Sequence, residues 1–335
     1  MDTGVDIKAG DVLLFHGNGF VSWGIRKFDG TDVNHAAIAL DPGMLGEAGG
    51  RGLQRTPIDK ALASNRYMRV RRHADHELAP VVSVASRYLD EGRPYAYQQI
   101  VLLALLASTR RIRLTGVARR MLRTILDHGA AALNAFLDRD GNRSMICSEF
   151  VYRAYGEAVG DPADRYRIRI QVGDMAFDPA GVSLAEWALE QPDEALEAAA
   201  AVPVSFAVAV TDPDAADDAA EHDLAPLVAA WALEEGIVDE DMPAPPPPSF
   251  AADDLEEPSD EELLASLLSF SGAFADATSD APPSFGLGAL TIGSAVARGA
   301  IQGLLEPKID ANFVTPGDLL VSPTLVDVGT VDGGG

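Results

Sequence analysis

The sequence predicts an α+β protein with a long acidic region in its second half. Three observations lead there. Short apolar runs with strand character gather near the N-terminus around a tight turn signal. Runs of helical length, amphipathic or wholly apolar, follow them. The charge then divides sharply: residues 1–175 carry 24 Lys+Arg against 20 Asp+Glu, and residues 176–335 carry 2 against 31. The formal net charge of -25 therefore belongs to the second part. Such acidity argues against nucleic acid or anionic lipid as its partner.

"DVLLF" (11–15) reads as a buried strand after the turn at Ala9-Gly10. "SWGIRKF" (22–28) reads as a helix with Ser22 as its N-cap. "HAAIAL" (35–40) and "MLGEA" (44–48) read as strands joined by the turn "DPG" (41–43), a hairpin. "APVVSVASRYLDEG" (79–92) is an amphipathic helix stopped by Gly92 and Pro94. Residues 98–137 form a helical region with expected breaks at Gly116 and Gly129. "IVLLALLA" (100–107), inside it, is too short to span a bilayer and reads as a core helix. "SEFVYRAYGEAVG" (148–160) has helical apolar spacing and stops at Gly160.

Composition changes after about Phe177. Ser183 and Glu186 form a capping-box pattern at the start of "SLAEWALEQPDEALEAAAA". "VPVSFAVAV" (202–210) alternates as a strand does, and "DLAPLVAAWALEEG" reads as a helix. Residues 239–262 form a proline-rich acidic linker, expected to be extended and mobile, with Pro245 to Pro248 as a spacer. Ser259 and Glu262 begin another helix. "SFGLGALTIGSAVARGAIQGLL" (284–305) is interrupted by Arg298 and reads as a packed helix or apolar loop. "TPGDLLVSPTLVDVG" (315–329) regains strand character and echoes "AGDVLLFHG". Residues 176–311 are therefore expected to be an insertion, with 312–335 returning to the first domain of 1–175. The arginine-rich stretch 110–123 reads as a solvated face or as a docking surface, one candidate partner being the chain's own acidic half.

Cys147 is the single cysteine, so no intrachain disulfide can form; a reducing compartment fits this. The N-terminal stretch shows no basic and apolar signal pattern. A cytoplasmic location is the expectation, with signal-independent export as the alternative. Cys147 itself fits a packed small residue or a nucleophile. Its place at the start of a helix favours a thiolate, because the unpaired N–H groups there stabilise negative charge.

A nucleophilic thiol needs a base, and the candidates are His16, His35, His73, His76, His128 and His222. His73 and His76 have H-x-x-H spacing, but no cluster of carboxylates or thiols supports a metal, and no metal or other cofactor is expected. His35 opens an apolar strand straight after a polar loop, facing core or cleft. If residues 41–43 form the hairpin loop, Leu40 pairs with Met44 and Ala37 with Glu47. Glu47 then lies diagonal to His35 on one face, within reach of its ring. Glu47 could hold one imidazole nitrogen and leave the other to the thiol.

In this order the motifs resemble the circularly permuted NlpC-like papain-fold cysteine hydrolases, the YiiX-like group. The matching pieces are "GDVLLF", the polar residue and histidine of "NHAAIAL", "GEA", "GRPYAY" (92–97), "CSEFVYRAY" and the closing "TPGDLLVSP". The resemblance covers most of 9–160 and 313–325. It implies a permuted papain-like core, an antiparallel sheet packed on helices, with Cys147, His35 and Glu47 as catalytic triad. Asp11, Tyr95 and Tyr155, which stand in the matching motifs, are the substrate-binding expectations. The chain departs from the pattern at Asn34, where serine is usual, and in the long basic stretch before Cys147. The implied activity is hydrolysis of an amide or ester: a peptide, a peptidoglycan-type amide or an acyl lipid. Transfer of the acyl group to an alcohol or amine is the alternative within enzymes. A non-enzymatic interaction protein binding through the acidic insertion is the alternative outside them.

Overall fold

A computed structural model describes residues 4–49, 52–75, 77–91, 99–137, 147–160, 162, 164–170, 181–202, 214–237, 239–244, 256–278, 293–305 and 314–333. The class is α+β. Six strands form one antiparallel sheet in the order β4-β3-β2-β1-β5-β8. They are β1 (Val12–Gly17), β2 (His35–Ala39), β3 (Met44–Gly49), β4 (Gly52–Pro57), β5 (Asn65–His73) and β8 (Leu325–Asp332). A two-stranded ribbon pairs β6 (Arg111–Ile112) with β7 (Val182–Ser183). The C-terminal strand β8 lies against β5, so both ends of the chain share one sheet.

Strand alternation buries both faces of β1. Val12 and Leu14 join Ala36 and Ile38 under the helices, while Leu13 and Phe15 join Ala37, Ala39 and Leu45 on the other face. That second face is covered by α2 (Ile58–Ala63) through Ile58, Ala61 and Leu62. Helix α3 (Ala79–Asp90) buries Val81, Ala85 and Tyr88, and helix α4 (Gln99–Thr109), apolar on all sides and buried from Ile100 to Ser108, is a core helix. Each of its buried leucines contributes about 1.5–3 kcal/mol of transfer free energy. No helix among the described residues is long and apolar enough to cross a membrane.

Three local expectations need correction. Ser22 does not cap a helix. The N-cap of helix α1 (Phe20–Asp29) is Gly19, three residues earlier, and Ser22 Oγ donates to Gln99 Oε1 at 2.7 Å. The capping acceptor comes from 200 residues away: the Glu221 carboxylate accepts from the N–H groups of Phe20 and Val21. Gly129 does not break a helix either. It lies inside α5 (Gly116–Leu137), where an added Cβ would come within 2.8 Å of Ala104 Cβ, so its lack of a side chain lets α5 approach α4. The helical region divides once, between Thr109 and Gly116, where β6 intervenes. The third lies in the closing segment: of the stretch 315–329 read as strand-like, residues 316–321 form a helix and the strand β8 begins only at Leu325.

The described part of 176–311 is helical: α7 (Leu184–Leu189), α8 (Asp193–Ala201), α9 (Asp214–Glu234), α10 (Asp260–Thr278) and α11 (Ser294–Leu305). Ser183 caps α7 by accepting from Glu186 N, and Ser259 with Glu262 caps α10 reciprocally. Arg119 pairs with Glu257 and Asp260, and Arg123 with Glu262 at 2.9 Å. Trp231 of α9 stacks on Phe28 of α1 with ring centroids 5.5 Å apart. The run 203–210, the prolines 245–248, His76 and Tyr95 lie outside the described residues.

Candidate active site

The site starts from a turn. Asp41 Oδ1 accepts from the N–H groups of Gly43 and Met44 at 2.7 and 2.8 Å, which fixes the β2–β3 loop. Leu40 N then donates to Met44 O, and the strands pair Ala37 with Glu47, Ile38 with Gly46 and Ala39 with Leu45. A slip of one residue would turn Glu47 to the other face. In this register His35 and Glu47 are diagonal neighbours, and His35 Nε2 lies 3.0 Å from Glu47 Oε2. The two side chains are 14% and 13% exposed, enough to exclude most water while leaving an opening.

His35 is held from behind as well. Its neighbour Asn34 is fully buried and accepts from Gly17 N at 2.6 Å. The Asn34 amide donates to Ser22 Oγ at 3.1 Å and Gln99 Oε1 at 3.2 Å. The Phe15 ring, paired across the strands, lies 5.8 Å from the imidazole.

Cys147 opens α6 (Cys147–Gly156) and is 4% exposed. The His35 ring and the N–H groups of Ser148 and Ala36 lie close enough to its sulfur to favour the thiolate. With Nε2 on Glu47, Nδ1 is the ring nitrogen left for the thiol. The Ala36 contact follows from the ladder. Ala39 N donates to Asp11 O, so odd-numbered residues of β2 face β1 and Ala36 faces β3. Pairing with β3 begins at Ala37, so the Ala36 N–H is open to the sulfur. Beside the cysteine, Ser148 Oγ donates to Val314 O and ties α6 to the closing segment, where Thr315 and Asp318 cap α12 (Pro316–Val321).

The electrostatics are reciprocal. Burial alone would lower the His35 pKa, but the Cys147 sulfur and the Glu47 carboxylate outweigh it and carry it up to about 10. Burial alone would raise the Cys147 thiol, and the His35 charge with the two N–H groups brings it below its ordinary value. Glu47 is pushed up by burial and pulled further down by His35, Thr56 and Gln54. The arrangement favours a thiolate beside an imidazolium over a neutral pair. Among the described residues no group of three or more His, Cys, Asp or Glu is placed to hold a metal ion.

Asp11 and Tyr155, expected to bind substrate, are not brought to this cluster. Asp11 is fully buried in a two-pronged pair with Arg72, both contacts at 2.7 Å, and also accepts from Lys8 N. It lies level with Ala39, four residues from His35, or about 13 Å along the strand. Tyr155 is eight residues from Cys147, about 12 Å along α6. Its hydroxyl donates to Gly10 O, its ring meets His73 at 5.6 Å, and burial pushes its pKa up. Tyr155 joins α6 to the start of β1, and Asp11 ties that start to β5. Sequence reasoning missed Thr56 and Gln54 of β4. Their signal was the glycine-rich turn after Glu47: counting outward from it sets Gln54 opposite Glu47, as the register shows.

No family model matches the chain, and no solved structure matches it. A curated relative does: the probable lipoprotein peptidase YaeF of Escherichia coli (strain K12) is 30% identical over 192 residues, 53% of this chain and 69% of the relative. With more than two thirds of that relative covered at this identity, the chain belongs to the family of the probable lipoprotein peptidase YaeF.

Proposed function

We propose that the protein is a cysteine hydrolase of amide bonds, with Cys147 as nucleophile, His35 as base and acid, and Glu47 as the group that orients His35. The observation that carries this reading is the buried cluster itself: Glu47 on one ring nitrogen of His35 at 3.0 Å, and a buried cysteine at a helix start beside the same ring, an arrangement that pushes His35 up and Cys147 down. The name of the relative supports a peptide or lipoprotein substrate.

In the first half-reaction the thiolate adds to the carbonyl carbon, and the carbonyl π electrons pass to oxygen. The Ser148 and Ala36 N–H groups are donors at hand for that oxyanion. The His35 imidazolium gives its Nδ1 proton to the leaving nitrogen as the C–N bond breaks, leaving acyl-Cys147. In the second, water gives a proton to Nδ1 as its oxygen adds to the acyl carbon. Collapse expels the thiolate, regenerates the imidazolium pair and releases the acid. Throughout, Glu47 stabilises the charge on the ring and holds its orientation. We read the acidic insertion as an intrachain partner of the arginine-rich helix, a reading supported by the pairs of Arg119 and Arg123.

Labelling with a chloroacetamide probe at neutral pH tests the chemistry. Cys147 is expected to react in the folded protein, and His35→Ala to slow the reaction by about 10²-fold or more. Folded wild-type protein that resists the probe, or a His35→Ala variant that labels equally fast, would sink the proposal.

A further inference from the structure

Glu47 has two carboxylate oxygens, and the proposed chemistry uses one. Oε2 faces His35, while Oε1 accepts from Thr56 Oγ1 at 2.5 Å and from Gln54 Nε2 at 3.3 Å. Both donors stand on β4, whose register with β3 pairs Gln54 with Glu47 and Thr56 with Leu45. From these contacts we infer that Thr56, assisted by Gln54, is a positioning residue for the reaction, fixing the Glu47 carboxylate so that one oxygen stays on the imidazole. The inference rests on the catalytic reading of Cys147, His35 and Glu47.

The chemistry of the groups supports it. An ionised carboxylate only accepts hydrogen bonds, so the Thr56 hydroxyl must give its proton to Oε1. The terminal torsion of glutamate is broad and roughly two-fold, so packing alone does not set the plane of the carboxylate. A second donor on the far oxygen does. Thr56 is 8% exposed, so little water is available to replace it. Both donors also help to keep Glu47 ionised, against the burial that would protonate it. A carboxylate free to turn would spend less time on the ring nitrogen, and the imidazolium would lose part of its stabilisation. The hydroxyl, rather than the bulk of a β-branched side chain, is the feature that matters, and the test separates the two.

Thr56→Val keeps the shape and removes the donor; Thr56→Ser keeps the donor. Turnover of an acyl p-nitrophenyl ester and the rate of Cys147 alkylation by iodoacetamide would be followed against pH in full-length protein. Thr56→Val is expected to lower kcat about tenfold with KM unchanged. Its activity should also fail at a lower pH on the alkaline side, because the imidazolium loses its proton sooner. Thr56→Ser should return kcat to within about twofold of wild type. If Thr56→Val does not fold, Gln54→Met carries the test, with a loss of about threefold and the same direction of pH shift. A folded Thr56→Val enzyme with wild-type kcat and pH profile overturns the inference while leaving the triad standing, provided His35→Ala still suppresses labelling. Wild-type Cys147 that labels no faster than in His35→Ala overturns both.

Discussion

Two histidine–carboxylate contacts in this molecule share one geometry. His35 Nε2 meets Glu47 Oε2 at 3.0 Å, and His128 Nε2 meets Asp223 Oδ2 at 3.0 Å. Their surroundings differ. Glu47 is 13% exposed, and its second oxygen is filled by Thr56 and Gln54. Asp223 is 49% exposed, and water competes for its charge. The other nitrogen of His35 faces a sulfur at a helix start, whereas His128 sits within α5, where its contact joins that helix to α9. A distance between imidazole and carboxylate therefore does not define a site. What distinguishes the first pair is burial of the carboxylate and coupling to a third ionisable group.

Removing each carboxylate's charge should separate the pairs most widely. Glu47→Gln keeps the side chain's shape but takes away the charge that supports the imidazolium. Its kcat is expected to fall about 10²-fold, the lower end of what a positioned acid–base system supplies. Steady-state turnover of an acyl ester measures it. A Glu47→Gln enzyme within twofold of wild type would reduce the first pair to the status of the second.

The pH dependence of stability should sharpen the contrast. His35 is raised from 6.5 to about 10, so its contribution is complete below pH 6.5 and is lost as pH rises through about 10. Cys147 is lowered from 9.0, so its contribution is complete above pH 9.0 and is lost as pH falls through its folded value. While the folded pair is thiolate and imidazolium and the unfolded pair is thiol and neutral imidazole, the loss on one group offsets the gain on the other, because each chain then binds one proton at the pair. Urea melts of wild type and the Cys147→Ala/His35→Ala double variant, taken from about pH 5 to about 11, should differ by a profile with a level top and falling sides. A difference that does not vary with pH would mean that the two groups are not coupled.

How much of this was legible in the sequence depended on how far each interaction reaches. Asp41-Pro42-Gly43 made the hairpin register readable, because the aspartate's own side chain closes that turn. From the register, the contact of Glu47 with His35 follows by counting. Thr56 and Gln54 needed a second count across a second turn, and β4 lacks the alternation that would have marked it as a strand. Ser22 was misread because a cap is normally a neighbour's work, and here the Glu221 carboxylate arrives from a distant helix. The partner of Asp11 was hidden for the same reason: its local motif says nothing of Arg72, 61 residues on, which pairs with it in the core. Hydrogen bonds closed within a turn could be read from the sequence; those made by a carboxylate with a distant partner could not.

The smallest effect belongs to the second pair. Asp223→Asn removes a charge that is half in water, on a contact between two helices that are also joined through apolar packing. Pairs with this exposure contribute about 0–1 kcal/mol, so the loss of stability should fall in that range and shrink further in about 1 M salt. Turnover should stay within about twofold of wild type, because the contact leaves the His35 ring and its carboxylate untouched. Urea melts at low and high salt, with ester turnover on the same preparations, measure both. A tenfold loss of turnover in a stable Asp223→Asn protein would break the contrast between the pairs, since it would show that the interface of α5 and α9 acts on the reacting groups.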